Sequence, residues 1–141
     1  QGYLKALETH GLEVDAALIR NSHYTVEGGR QATKELLSLS PRPTAIFSSA
    51  GVPTVGALSE LKQQDIKIPK ELSFISFDDE QWLQLVDPPI TAVSQPVKQI
   101  GTEAAQLVIQ LIQGWSRGEA RKIVLKPKLI IRESCANIPS L

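Results

Sequence analysis

This sequence predicts an α/β domain built on a doubly wound parallel sheet, on three observations. Apolar runs of strand length alternate with segments of helical period, the links between them are short, and several of the runs are continuously apolar. A continuous apolar run is what a parallel strand covered on both faces requires, and strand–helix alternation with short links marks βαβ units. At 141 residues, 42% hydrophobic and 21% charged, the chain has the size and composition of one core-forming domain.

The first helix is Gln1-Gly2-Tyr3-Leu4-Lys5-Ala6-Leu7, which reads as a helix interior with Tyr3, Leu4 and Leu7 on one face. It stops at His10-Gly11, where glycine tolerates the positive φ of a helix end. Neither a capping residue nor an initiator Met precedes it, so the chain reads as a fragment. Ala17-Leu18-Ile19-Arg20 is an apolar run of strand length. Thr25 then caps a helix running to about Leu39, with Ala32, Leu36 and Leu39 inward, and Ser40-Pro41-Arg42-Pro43 breaks it.

Thr44 to Ser48 is the next strand, and Gly51 through Gln64 the next helix, with Val55, Leu58 and Leu61 inward. Leu72 to Phe77 forms a strand with Asp78-Asp79 just past its carboxyl end, and Ile90 to Ser94 forms another after Asp87-Pro88-Pro89. The longest helix begins at Pro96, which suits a first turn, and ends at Gly114. Its stripe, Val97, Ile100, Ala104, Leu107, Val108, Leu111 and Ile112, repeats at three and four. Lys122 to Arg132 closes the chain as a strand in which Pro127 forces a break or an edge position.

Fifteen basic residues balance fifteen acidic ones, so no net field draws this segment to nucleic acid or to an anionic membrane. Cys135 is the single cysteine, which excludes an internal disulfide and is compatible with a reducing compartment. No apolar run approaches the roughly 20 residues that span a bilayer. A cytoplasmic protein is the expectation.

Ligands of open parallel sheets bind beyond the carboxyl ends of the strands. Ser49-Ala50-Gly51, Asp78-Asp79 and Gln95 occupy such positions, and Tyr24 lies in the loop ahead of the second helix. An acid, an amide and an aromatic ring suit a small polyhydroxyl or heterocyclic ligand, because the acid accepts donors, the amide does both and the ring covers an apolar face. Structural readings stand beside these. Asp78 or, nearer the following short helix, Asp79 caps Glu80 to Leu85; Tyr24 packs over the sheet edge; Gln95 caps the long helix. The paired acids also resemble a metal site, but no third carboxylate follows another strand and no phosphate-binding glycine loop is present. His10, His23 and Cys135 have no nucleophile–base partner, so neither catalytic nor metal-ligating residues are assigned, and no cofactor is expected.

Taken in order, Arg42-Pro43-Thr44-Ala45-Ile46-Phe47, Val55-Gly56-Ala57-Leu58, Ile68-Pro69 and Leu72 to Asp79 resemble the effector domain of LacI-type transcription regulators. Pro88 to Pro96, Ile100-Gly101 and the closing Arg132-Glu133-Ser134 extend the resemblance along nearly the whole chain. It implies a type I periplasmic-binding-protein-like fold, two α/β subdomains with the effector in the cleft between them, and a homodimer joined near Pro53 to Leu61 and Val86 to Ile90. Residues 1–94 and 119–141 then belong to the C-terminal subdomain and 95–118 to a helix of the N-terminal one. An early strand of the C-terminal subdomain and the helix-turn-helix head that binds operator DNA lie outside this sequence.

By position, the resemblance makes Asp78 the acid that contacts the effector, a sugar or related metabolite, with Tyr24, Ser49, Ala50 and Gln95 around it. Ala50-Gly51 departs from the family's usual Asn-Asp pair, so an amide is lost; either Ser48 or Ser49 compensates or the effector is less polar. Ser76 stands where the family has glycine. The competing readings are a periplasmic sugar-binding protein of the same fold and a small metal-dependent α/β enzyme using Asp78 and Asp79.

Overall fold

The computed structural model describes residues 1–114 and 121–137. The helices are α1 (Gly2–Thr9), α2 (Val26–Leu37), α3 (Gly51–Gln63) and α4 (Val97–Ile112); the strands are β1 (Ala45–Ser48), β2 (Ser73–Phe77), β3 (Thr91–Ser94) and β4 (Lys128–Ile130). The strands form one sheet in the order β1-β2-β3-β4. The first three are parallel, with Ser48 beside Ser76 and Phe77 beside Val93, and β4 runs antiparallel to β3, Ala92 facing Ile130.

The continuous apolar runs become the three parallel strands as expected, because Phe74, Ala92 and Ile46 are buried between layers together with Ala57, Leu61, Leu72, Leu83 and Ile90. At the closing segment, only Lys128–Ile130 is strand, beginning immediately after Pro127, which has no N–H to give to a ladder. Beyond it the chain is pinned rather than paired. Ser134, fully buried, donates its hydroxyl to the Phe74 carbonyl at 2.6 Å and accepts from the Thr91 N–H at 2.8 Å, tying β2 to β3.

Three expectations are corrected. Ala17 to Arg20 is not a strand: Ala16–Leu18 forms a short 3-10 turn, because the Asp15 carboxylate accepts from the Ala17 N–H at 2.8 Å and bends the chain there. The second helix ends at Leu37, two residues early, where Ser38 closes its last turn. In α3 the inward positions are Thr54, Ala57 and Leu61, whereas Val55 stays 44% exposed. The cause is that α3 is covered on two sides, by the sheet and by α2, so the arc it buries is wide and centred away from Val55.

The two helices meet at backbone distance. A Cβ on Gly56 would fall 1.8 Å from the Val26 carbonyl oxygen, and one on Gly29 would fall 2.2 Å from that of Pro53, so only glycine allows this crossing. Glu60, buried in the same seam, takes Gln64 Nε2 at 2.7 Å and Arg30 Nη1 at 3.4 Å, which compensates its lost hydration. Arg30 also holds Glu27 at 2.6 Å, and that hydrogen bond keeps the Glu27 carboxyl below the usual range.

Outside this body, α4 buries no residue, and Val97, Val108, Leu111 and Ile112 are exposed. The residue expected inside its first turn, Pro96, is its N-cap. Among the described residues no helix is long and apolar enough to cross a membrane.

Candidate functional site

Because β1, β2 and β3 are parallel and in register, their carboxyl ends line one edge of the sheet. Ser49-Ala50, Asp78-Asp79 and Gln95 follow those three ends, so the topology collects four of the five expected site residues along that edge. Asp78 has a left-handed backbone, φ 72°, uncommon for a residue with a side chain, and its N–H donates to the Val93 carbonyl at 3.0 Å. Its half-buried carboxylate accepts a 2.6 Å hydrogen bond from Gln95 Nε2. Asp78 and Gln95 are therefore in direct contact.

Asp79 turns away. Its carboxylate pairs with Arg132 Nη1 at 2.8 Å, both side chains largely covered, and the same guanidinium nitrogen reaches the Ile90 carbonyl at 2.7 Å. Neither acid caps the following turn: the residue before Gln81–Gln84 is Glu80, which makes no side-chain cap. Gln95 does not cap α4 either, since its amide is committed to Asp78. A metal enzyme would need the two acids at one ion, but they face different partners, and among the described residues no group of three or more His, Cys, Asp or Glu side chains converges.

Ala50 is buried, and its carbonyl accepts from Thr54 Oγ1 at 2.7 Å and from the buried Ser48 hydroxyl at 3.3 Å. Ser48 is thereby turned into the protein, which leaves Ser49, exposed, as the hydroxyl free at the rim. The serine at 76 is accommodated by Thr54, whose hydroxyl meets it at 2.9 Å in full burial. Tyr24 follows His23 in a turn where both have positive φ, and the residue is 66% exposed. It packs over no sheet edge, and no hydrogen bond among the described residues links it to the other four.

Two neighbours of the site escaped the sequence reading. Arg132 was read only as part of the closing strand and of the family resemblance, and Glu80 only as the start of a turn; yet Arg132 pairs with Asp79, and the Glu80 side chain lies against Gly51, its Oε1 3.3 Å from the Cβ that position would carry. No spacing in the sequence signals either contact. A cavity of about 550 Å³ opens elsewhere, between α1, α2 and the outer edge of β1, lined by Leu4, Leu18, Ala32, Leu36 and Phe47. It reaches Ser49 but not Tyr24, Asp78 or Gln95.

A mostly parallel sheet with helices packed on it and polar residues gathered beyond the strand ends defines an open α/β module. The chain belongs to the family of the periplasmic binding protein-like domain, which matches residues 1–135. Within that family it is 40% identical over 139 residues to the HTH-type transcriptional repressor CytR of Escherichia coli, covering 99% of this chain and 40% of the repressor. Among solved structures it superimposes on a regulatory protein of the LacI family from Chloroflexus aggregans with a TM-score of 0.83 at 36% identity, over 96% of this chain and 49% of that one. It also superimposes on the transcriptional regulator CelR in complex with cellobiose with a TM-score of 0.87 at 32% identity, over 95% of this chain and 41% of that one. The LacI-type resemblance read from the sequence thus extends to named regulators and to their fold. This chain spans about two fifths of the length of the repressor it matches.

Proposed function

We propose that this chain is the effector-sensing part of a transcription regulator, and that it binds a sugar or related small metabolite beyond the carboxyl ends of β1, β2 and β3. The observation that carries the reading is Asp78: a carboxylate held in a left-handed turn at the centre of that edge, one oxygen already engaged by a neutral amide. Among the described residues it forms no ion pair, so its charge is available to hydroxyl or N–H donors of a neutral ligand. Ser49 supplies a second polar contact, the buried Ala50 leaves a less polar wall, and Tyr24 offers a free aromatic face. In the named relatives regulation is the stated role, which favours this reading over a periplasmic sugar-binding protein and over an enzyme.

On this reading residues 1–94 and 119–141 form the C-terminal subdomain, and 95–118 carry a helix of the N-terminal one, which suits an α4 that leaves its apolar stripe open. The free edge of β1 and the apolar cavity beside it suit an earlier strand of the same subdomain. DNA binding falls to a helix-turn-helix outside this sequence, in a cytoplasmic homodimer whose seam lies near Pro53 to Leu61, where Val55 is exposed, and near Val86 to Ile90. Sedimentation of the intact regulator at micromolar concentration tests the dimer, and a monomer with and without effector overturns it.

Calorimetric titration tests the site, after a sugar panel has identified the effector. A hydrogen bond to a charged group contributes about 1.5–3 kcal/mol. Loss of two such bonds in Asp78→Asn weakens binding by about a hundredfold or more. The melting temperature stays near wild type. Unchanged affinity removes Asp78 from the site, and a collapsed melting temperature reassigns it to holding the turn.

A further inference from the structure

We propose that Asp78 couples the site to α4: through Gln95 it holds the segment by which β3 leads into α4, Gln95 acts as an internal stand-in for ligand at Asp78, and Asp79 holds the chain that follows β4. Gln95 lies between β3 and α4, and Arg132 lies just past β4. The Gln95 amide is on Asp78 at 2.6 Å and the Arg132 guanidinium is on Asp79 at 2.8 Å. Two consecutive residues thus grip the segment leading into α4 and the segment following β4.

The two grips differ in kind. Asp79 and Arg132 are both largely buried, with side-chain exposures of 20% and 17%, and Arg132 is anchored again on the Ile90 carbonyl. Breaking that pair would strand a covered charge, so it is the fixed grip. The Asp78 grip is one hydrogen bond between a half-buried acid and a neutral amide, at an edge open to ligand. A donor arriving at Asp78 replaces the Gln95 amide at little net cost, because one hydrogen bond is exchanged for another. Gln95 also carries the start of α4, since its carbonyl accepts from the Val97 N–H at 2.9 Å. Freeing its side chain therefore loosens the base of α4 while the Arg132 grip keeps the chain past β4 in place. A bound donor would act on α4 through that one residue, which is the differential contact a population shift needs.

This inference rests on the effector reading of Asp78 but is tested without a ligand, by hydrogen exchange on the intact, unliganded regulator. Gln95→Leu is expected to speed exchange at Val97 to Gly101 by about tenfold or more, the factor that one hydrogen bond to a charged group represents in an opening equilibrium. Exchange in β1 and α3 stays as in wild type. Asp78→Leu gives the same pattern, and the double variant adds nothing further, as expected for two ends of one interaction. Arg132→Leu instead loosens Lys128 to Ile130. Unchanged exchange at Val97 to Gly101 in Gln95→Leu overturns the coupling, as do additive effects in the double variant; if Asp78→Leu fails to fold, Gln95→Leu alone decides. Asp78→Asn that loses effector while Gln95→Leu leaves α4 unchanged keeps the site and discards the coupling, and the reverse result does the opposite.

Discussion

Helices α3 and α4 carry opposite relations between sequence pattern and burial. The pattern of α4 is the cleaner, an apolar stripe repeating at three and four over 16 residues, yet it buries nothing. The pattern of α3 is blurred by Thr54, Gly56 and Glu60, yet those residues are buried with Pro53, Ala57 and Leu61. A helix packed against a sheet on one side and another helix on a second buries a wide arc, so its period fades and the polar residues within that arc must find partners. A clean stripe says that a helix has one face to bury. It does not say that the covering surface lies within the same stretch of chain.

Substitutions in the two regions sharpen that contrast, and the largest effect belongs to the body. Phe74 is fully buried in β2, and Phe74→Ala is expected to cost about 3–5 kcal/mol, read by urea unfolding. Leu111, 61% exposed on α4, should respond differently in two settings. In this 141-residue chain Leu111→Ala should change stability by no more than about 0.5 kcal/mol. In the intact regulator, where the stripe is proposed to be covered, the same change should cost about 2–5 kcal/mol. Equal, small effects in both settings would mean that α4 keeps its apolar face in water and would break the contrast.

What was legible in the sequence follows the same division. Strands β1, β2 and β3 were readable as short apolar runs, although β1 buries only one face, with Ile46 inward and Phe47 exposed, and the positions of Asp78 and Gln95 followed from the rule that parallel strands present their carboxyl ends together. Ala17 to Arg20 carries the same local signal as those strands but has the Asp15 carboxylate beside it, and a four-residue run does not reveal which prevails. The hydrogen bond from Gln95 to Asp78 needs the register of β2 on β3 before the two ends become neighbours. Arg132 on Asp79, and Glu80 against Gly51, depend on side-chain directions that only the folded chain sets. Tyr24 was placed correctly in a loop, but its exposure follows from positive φ at His23 and Tyr24, which nothing in that stretch announces.

The smallest effect lies where the body meets the site. Thr25 caps α2, its Oγ1 accepting from the Gly28 N–H at 2.9 Å while its hydroxyl donates to the Ser22 carbonyl at 3.2 Å. The first turn it holds contains Gly28-Gly29, poor helix formers kept because Gly28 lies against the Ser22 backbone and Gly29 against Pro53. Such a turn leans on its cap, so Thr25→Ala is expected to cost about 1 kcal/mol. The urea midpoint should fall with the slope unchanged, since the area exposed on unfolding is the same. Thr25→Ser, which keeps the oxygen, should recover most of the loss. Because Tyr24 precedes the cap directly, a frayed turn would also loosen the aromatic side of the proposed site, and effector affinity should fall with stability in Thr25→Ala but not in Thr25→Ser. A loss below a few tenths of a kcal/mol would show that the glycine-mediated crossing with α3 fixes the start of α2 by itself, and that the order of the Tyr24 turn comes from the body of the domain rather than from its cap.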